Sequence, residues 1–249
     1  MQTPWQAKLL YLAGFLLFSP LHVSAQNANT DAAIIPSPAS YPISLYQQAT
    51  KEESHLLNGP EYVDIRRANR EGHPFFLIDE KTPGSVQYDG AFYEGVPLLY
   101  DIVLDEVLLA RNGLVLQKLV KEKVAGFQLG GHKFVRVVVP DTASNTALRT
   151  GYYDVMHDGT TKLLVKRLKE RQELIEDQKV LEKYGPIDKY YIQQGTTYHQ
   201  VKSGRSVYNV FSDRKKELKK YARTKKFNFR RQREEAILGL VLYYDSLTD

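Results

Sequence analysis

Apolar residues fall on every second position from Val96 to Leu104 (Val96, Leu98, Tyr100, Ile102 and Leu104), with Pro97, Leu99, Asp101, Val103 and Asp105 between them. A period of two places the five even residues on one face of a strand, and Leu99 and Val103 half-cover the other. Just upstream, Asp89-Gly90 separates two short aromatic and β-branched runs. Both residues tolerate positive φ at little cost, so the pair marks a tight hairpin. The same punctuation recurs at Asn112-Gly113, Gly130-Gly131, Asp158-Gly159 and Gln194-Gly195, each flanked by apolar or β-branched segments. Phe75 to Ile78, entered through His73-Pro74, forms a compact apolar run that predicts a further strand. With no long helical pattern between these signals, they predict an α+β, mainly β fold. Its expected core is an antiparallel meander forming a curved sheet or partly closed barrel, followed by C-terminal helices.

Helical periods are confined to a few stretches. Lys166 to Lys183 is dense in Lys, Arg, Glu and Gln with sparse apolar positions (Leu168, Ile175, Leu181), which predicts a solvated helix ending before Gly185-Pro186. A short helix is expected over Leu45 to Leu57, closed by Asn58-Gly59-Pro60. Ser203 to Phe211 suits either a short helix or a strand. Ser212-Asp213 offers an N-cap to a basic helix whose apolar stripe is Leu218, Tyr221 and Ala222. After a break at Phe227 to Phe229, a last helix carries Ile237, Leu240, Val241 and Tyr244 on one face, ready to dock on the sheet.

The N-terminus changes the compartment. Lys8, the apolar run from Leu9 to Phe18 and the small-residue pattern Val23-Ser24-Ala25 have the layout of a cleaved signal peptide over residues 1–25. The run falls short of the roughly 20 apolar residues that span a bilayer, so no transmembrane segment is expected in the mature chain. Residues 26–40, rich in Asn, Ala, Ser and Pro, read as a flexible leader. Residues 41–249 then form a single β-rich domain whose helical part begins near 203. The chain has no cysteine, which rules out disulfides and a thioether-linked lipid anchor, and no Asn is followed at +2 by Ser or Thr. These features predict a periplasmic or secreted bacterial protein.

Charge is segregated. Between Lys202 and Arg233 there are thirteen Lys and Arg against two acids, Asp213 and Glu217; residues 26–201 carry 20 basic and 23 acidic side chains. A nearly neutral body thus carries one basic segment, with Arg214, Lys215, Lys216, Lys219, Lys220, Arg223, Lys225 and Lys226 as its candidate contacts to an anionic surface. A solvated helical face accounts for such a run equally well. Where it does meet anionic lipid or lipopolysaccharide head groups, each basic residue near the surface contributes about 1 kcal/mol. Nucleic-acid phosphates would use the same charges, but the export signal disfavours that partner.

The segments LLNGPEYVDI (56–65), GHPFF (72–76), GSVQYDGAFYEGVPLLYDI (84–102), GFQLGGHKFVRV (126–137), GYYDVMHDGTTKLLVKR (151–167) and EEAILGLVLYYDSL (234–247) together resemble a group of uncharacterised exported proteins of Gram-negative bacteria. The resemblance covers nearly the whole mature chain. It implies a single folded unit and an envelope location, and it brings no activity and no catalytic residues.

Acid and base chemistry has seven candidates: Asp89, Asp101, Asp105, Asp154, Asp158, His132 and His157. Turn duty explains Asp89 and Asp158, each of which precedes a glycine. Asp101 and Asp105, at i and i+4 of a strand, would lie about 13 Å apart, too far to act on one bond. His157 and Asp158, as strand neighbours, would point to opposite faces. No HxH, HExxH or phosphate-loop pattern occurs, so neither a metal nor a cofactor is expected. Tyr88, Phe92, Tyr93 and Tyr100, around the first hairpin, are candidates for an aromatic binding surface, although strands select aromatics in any case. The leading expectation is therefore a non-enzymatic envelope protein that binds or scaffolds, partnered by an envelope protein or an anionic lipid surface. Its alternatives are a carrier of a small apolar ligand or lipid inside the curved sheet, and an envelope hydrolase using the acids above.

Overall fold

The computed structural model describes residues 55–63, 69–111, 115–140, 147–176 and 178–248. The predicted signal peptide, the leader and most of the predicted Leu45 to Leu57 helix lie outside them, as do the predicted Asn112-Gly113 turn and residues 141–146. Of the Leu45 to Leu57 helix, only the start of a single 3-10 turn, His55–Asn58, is described.

Among the described residues there are thirteen strands: β1 (Arg70–Glu71), β2 (Thr82–Tyr88), β3 (Ala91–Asp101), β4 (Glu106–Arg111), β5 (Val115–Lys118), β6 (Val124–Leu129), β7 (His132–Val137), β8 (Gly151–Asp158), β9 (Lys162–Lys166), β10 (Lys169–Glu176), β11 (Lys179–Pro186), β12 (Lys189–Gln194) and β13 (Thr197–Val201). Helices α1 (Gly204–Val210), α2 (Lys215–Thr224) and α3 (Arg233–Thr248) follow. Ten strands form one antiparallel sheet in the order β13-β12-β9-β8-β7-β6-β2-β3-β4-β5, while β1, β11 and β10 make a small second one. The large sheet is not closed.

Two of the turn dipeptides take the expected backbone conformation at both positions. Asp89 and Gly90 both take positive φ between β2 and β3, as do Gly130 and Gly131 between β6 and β7. Glycine is required at these second positions because a Cβ is strained there. At the sheet's middle the topology departs from a plain meander: β6 pairs with β2, so the chain returns from edge strand β5 across the ends of β4, β3 and β2. On a flat sheet that return would cover four interstrand spacings, about 19 Å. The six Cα steps from Lys118 to Val124 could reach about 20 Å only when fully extended. They include a 3-10 turn at Lys121–Lys123. The sheet must therefore curl, and the side chains on its inner face are crowded together.

Seven of the sixteen residues buried there are aromatic, and aliphatic side chains fill the space between the rings. Val86, Tyr88, Leu98, Tyr100, Ile102, Phe127, Phe134 and Tyr152 are buried in one cluster with Phe76. Phe127 and Phe134 stack at 4.6 Å, and Tyr100 meets both rings edge-on at 5.1 Å. The outer face of β3 and β4 is covered separately by Tyr62 and Phe75 against Leu99 and Leu108. Beyond β8 the same inner face is covered by helices instead: Leu163, Val165, Ile192 and Val201 pack against Val207, Phe211, Leu218, Ile237, Leu240 and Val241. The apolar face predicted for the last helix is the one buried here.

Several expectations are corrected. The stretch predicted as a solvated helix, Lys166 to Lys183, contains the hairpin β10–β11, with Ile175 opposite Val180 and Leu174 opposite Leu181. The apolar residues of this stretch fit no i, i+3, i+4 stripe; they match across a turn whose Gln178 takes positive φ. Strand β3 stops at Asp101, and Leu104, in the following turn, is half exposed. Phe75 to Ile78 makes only an isolated bridge, at Phe75. Phe75 and Phe76 are buried in different clusters, while Leu77, with positive φ, and Ile78 are exposed. Ser203 to Phe211 resolves as helix, because Ser203 and Ser206 form a reciprocal capping box. Ser212-Asp213 does not cap α2: Arg214 holds that position, and Asp213 accepts a hydrogen bond from Tyr244 Oη.

Candidate functional site

Helix α2 is amphipathic about a narrow seam. Leu218 and Ala222 are buried and Tyr221 stacks on Tyr243 at 3.9 Å, which orients the rest of the helix outward. At 100° per residue, Lys216, Lys220 and Arg223 lie on the side away from Leu218 and Ala222, and Lys219 flanks that buried seam. All four are exposed, as are Arg214, Lys225 and Lys226, while Lys215 is half-buried. The eight basic candidates thus lie on one helix and its two ends, with seven of them in solvent. Arg230, Arg231 and Arg233, also exposed, extend the charge through the loop into α3.

Two phenylalanines hold that loop. A Cβ on Gly204 would come within 2.8 Å of the Phe229 ring, and one on Gly239 within 2.5 Å of Phe227. Each ring therefore seats in a niche that only glycine leaves open, one at the start of α1 and one in α3. Lys226 takes positive φ at the end of α2, and Asn228 Oδ1 accepts from the backbone N–H groups of Arg230 and Arg231. Between α1, α2 and this loop lies a cleft of about 670 Å³, lined by Tyr208, Ala222, Phe227 and Phe229 with Lys219, Arg223, Lys226 and Arg230. Burial pushes the Tyr208 hydroxyl pKa up, and the nearby Arg223 charge opposes that shift.

The candidate aromatic surface is not a surface. Tyr88 and Tyr100 are fully buried, Tyr93 nearly so and Phe92 half-buried. The curl turns these rings into the core, and the hydroxyls find partners: Tyr88 Oη donates to Asn58 Oδ1, and Tyr100 Oη to Asp105 Oδ1. The interior of the curled half is filled by these rings and by Phe76, Phe127 and Phe134.

Each acidic candidate has a specific partner. Asp89 pairs with Lys123 and Asp158 with Lys162, both at 2.8 Å across exposed turns. Asp101 is buried, accepting from Tyr62 Oη and from the N–H groups of Val103 and Leu104. Asp105 stands in the turn, not on the strand, where it bonds Tyr100 and Lys166; a Cβ on Gly151 would collide with this pair. The expected i, i+4 strand geometry of Asp101 and Asp105 therefore does not occur.

Asp154 lies on the inner face where the aromatic and helical clusters meet. One of its oxygens, Oδ2, contacts His132 Nδ1 at 2.8 Å and Arg167 Nε and Nη2 at 2.8 and 2.7 Å. Arg167 also bonds Asp188 and Glu234, the latter in the first turn of α3. Burial lowers the Arg167 pKa, but Glu234, Asp154 and Asp188 outweigh it and raise the value above the ordinary one. Sequence reasoning missed Arg167, Asp188 and Glu234. The only hint was a lone arginine following the apolar run of β9. His157 contacts Asp245 of α3 at 2.7 Å, a second pairing that spacing along the chain could not show. Neither histidine hydrogen-bonds a hydroxyl among the described residues.

No group of three or more His, Cys, Asp or Glu among the described residues could hold a metal ion, and no described helix is long and apolar enough to cross a membrane. No protein-family model, curated protein or solved structure matches this chain.

Proposed function

We propose that this protein is a non-enzymatic component of the bacterial cell envelope that binds an anionic surface through α2 and the loop after it. The observation that carries this reading is the basic face itself. The apolar side of α2 is buried on α3, so the charge on its outer side is presented to solvent on a rigid element. A nearly neutral body behind it adds no competing field. The export signal over residues 1–25 and the resemblance to exported Gram-negative proteins support a periplasmic or secreted location, where lipid and lipopolysaccharide head groups are the abundant polyanions.

Co-sedimentation with vesicles containing anionic phospholipid, at low and high salt, tests the reading. Binding is expected at low salt and should be lost on charge reversal at Lys215, Lys216, Lys219 and Lys220. Binding indifferent to that reversal overturns it. Cell fractionation tests the location: recovery of the chain in the cytoplasm with residues 1–25 still attached would contradict it.

A second reading, an envelope hydrolase, rests on the His132–Asp154 contact at 2.8 Å. Against it, Asp154 is committed to Arg167, and the edge of the His132 ring is set against Phe76 at 5.0 Å. A carrier with its ligand inside the sheet finds that interior occupied by aromatic side chains.

A further inference from the structure

We infer that the cleft between α1, α2 and the α2–α3 loop is a binding site for the phosphate-bearing head group of a single anionic lipid. This inference rests on the anionic-surface reading above and names the ligand at its centre. The cleft differs from the rest of the basic face in its shape and in its lining. It is a shallow cleft of about 670 Å³, open to solvent on one side, which suits a head group whose acyl chains remain outside. It combines four cations, Lys219, Arg223, Lys226 and Arg230, with apolar walls from Tyr208, Ala222, Phe227 and Phe229, and no acid lines it. Among the described residues none of the four cations is ion-paired, whereas cations elsewhere on the molecule (Lys118, Lys123, Lys162, Lys166, Arg167, Lys183) are.

Arginine and lysine side chains lining one hollow suit a phosphate, which accepts several charge-assisted hydrogen bonds at once. The aromatic walls match the apolar body that a free phosphate lacks. Phe227 and Phe229 are locked in glycine niches, so these walls are formed before any ligand arrives. Lys216 and Lys220, further round α2, do not line the cleft and provide an internal control.

The test uses the mature chain and soluble probes in calorimetric titration: dihexanoyl phosphatidic acid, dihexanoyl phosphatidylcholine and inorganic phosphate. Phosphatidic acid should bind at least about tenfold more tightly than the other two. Arg223→Glu with Lys226→Glu should weaken it by about tenfold or more, the effect of about 1 kcal/mol per lost basic contact. Lys216→Glu with Lys220→Glu should weaken it less than threefold, with about the same charge removed. Should the first pair unfold by circular dichroism, Lys219→Gln with Arg230→Gln replaces it. Equal binding of inorganic phosphate and phosphatidic acid, or equal losses in the two charge-reversal pairs, overturns the site. In the second case vesicle binding that still responds to salt leaves the broader anionic-surface reading standing. Failure to bind vesicles, with tight and cleft-dependent binding of the soluble lipid, would instead remove the surface reading and keep the site.

Discussion

One face of a single sheet is buried in two different ways. From β2 to β7 the sheet curls and fills its own hollow with rings; from β8 to β13 it stays open and three helices cover it. The curled half needs bulky, rigid side chains, because neighbouring strands converge and leave irregular space that edge-to-face aromatic pairs fill. The helix-covered half uses mainly aliphatic residues, since two regular surfaces meet there. The functional consequence lies on the outside. Curling turns candidate binding residues inward, whereas a covering helix always has a second face, and on α2 that face is free to carry charge. The two halves meet at Asp154 and Arg167, a buried ionic seam between two apolar clusters.

Breaking that seam should have the largest effect. Arg167→Ala leaves Asp154, Asp188 and Glu234 without their common cation, at a cost of about 3–5 kcal/mol. Urea unfolding followed by circular dichroism and by near-ultraviolet signals should then separate into two transitions, one for each half. A single unchanged transition would mean the seam couples nothing. Within the halves, Phe134→Ala should cost about 3–5 kcal/mol and Leu240→Ala about 2–5 kcal/mol. If the curled core is the tighter of the two, Phe134→Ala falls at the upper end, because its stacked and edge-on partners have little freedom to collapse into the gap.

Alkaline pH probes both halves together. Burial pushes Tyr153 and Tyr190 up to about 12 from the ordinary 10.0, and Tyr100 is raised well above it. The folded form therefore holds these protons more tightly than the unfolded form does. Their contribution is fully present below pH 10 and is lost as pH rises from there through about 12 and beyond. Unfolding midpoints should decline steadily above pH 10, with the tyrosinate absorbance of the native protein lagging behind that of the unfolded chain. The smallest effect belongs to the outer face of α2: Lys216→Glu with Lys220→Glu should alter stability by no more than about 0.5 kcal/mol per site. A larger loss would mean those charges serve the fold and not a ligand.

Much of this architecture is legible in the amino-acid order. Asp89-Gly90, Gly130-Gly131 and Gln194-Gly195 specify reversals because their φ preferences are properties of the residues themselves. The period of two around Leu98 and Tyr100, the spacing of Ile237, Leu240, Val241 and Tyr244, and the separation of charge are equally local. Three things were decided only in the folded molecule. The segment 169–186 became a hairpin because Leu174, Ile175, Val180 and Leu181 meet across a turn, a pairing invisible to a helical count. Tyr88, Tyr93 and Tyr100 were buried by a curl that follows from the β5 to β6 return, not from their own surroundings in sequence. Arg167 found Asp154, Asp188 and Glu234 at separations of 13, 21 and 67 residues. Backbone preference acts over two or three residues and can be read directly; burial and ion pairing depend on which distant segments the closed chain brings within a few ångströms.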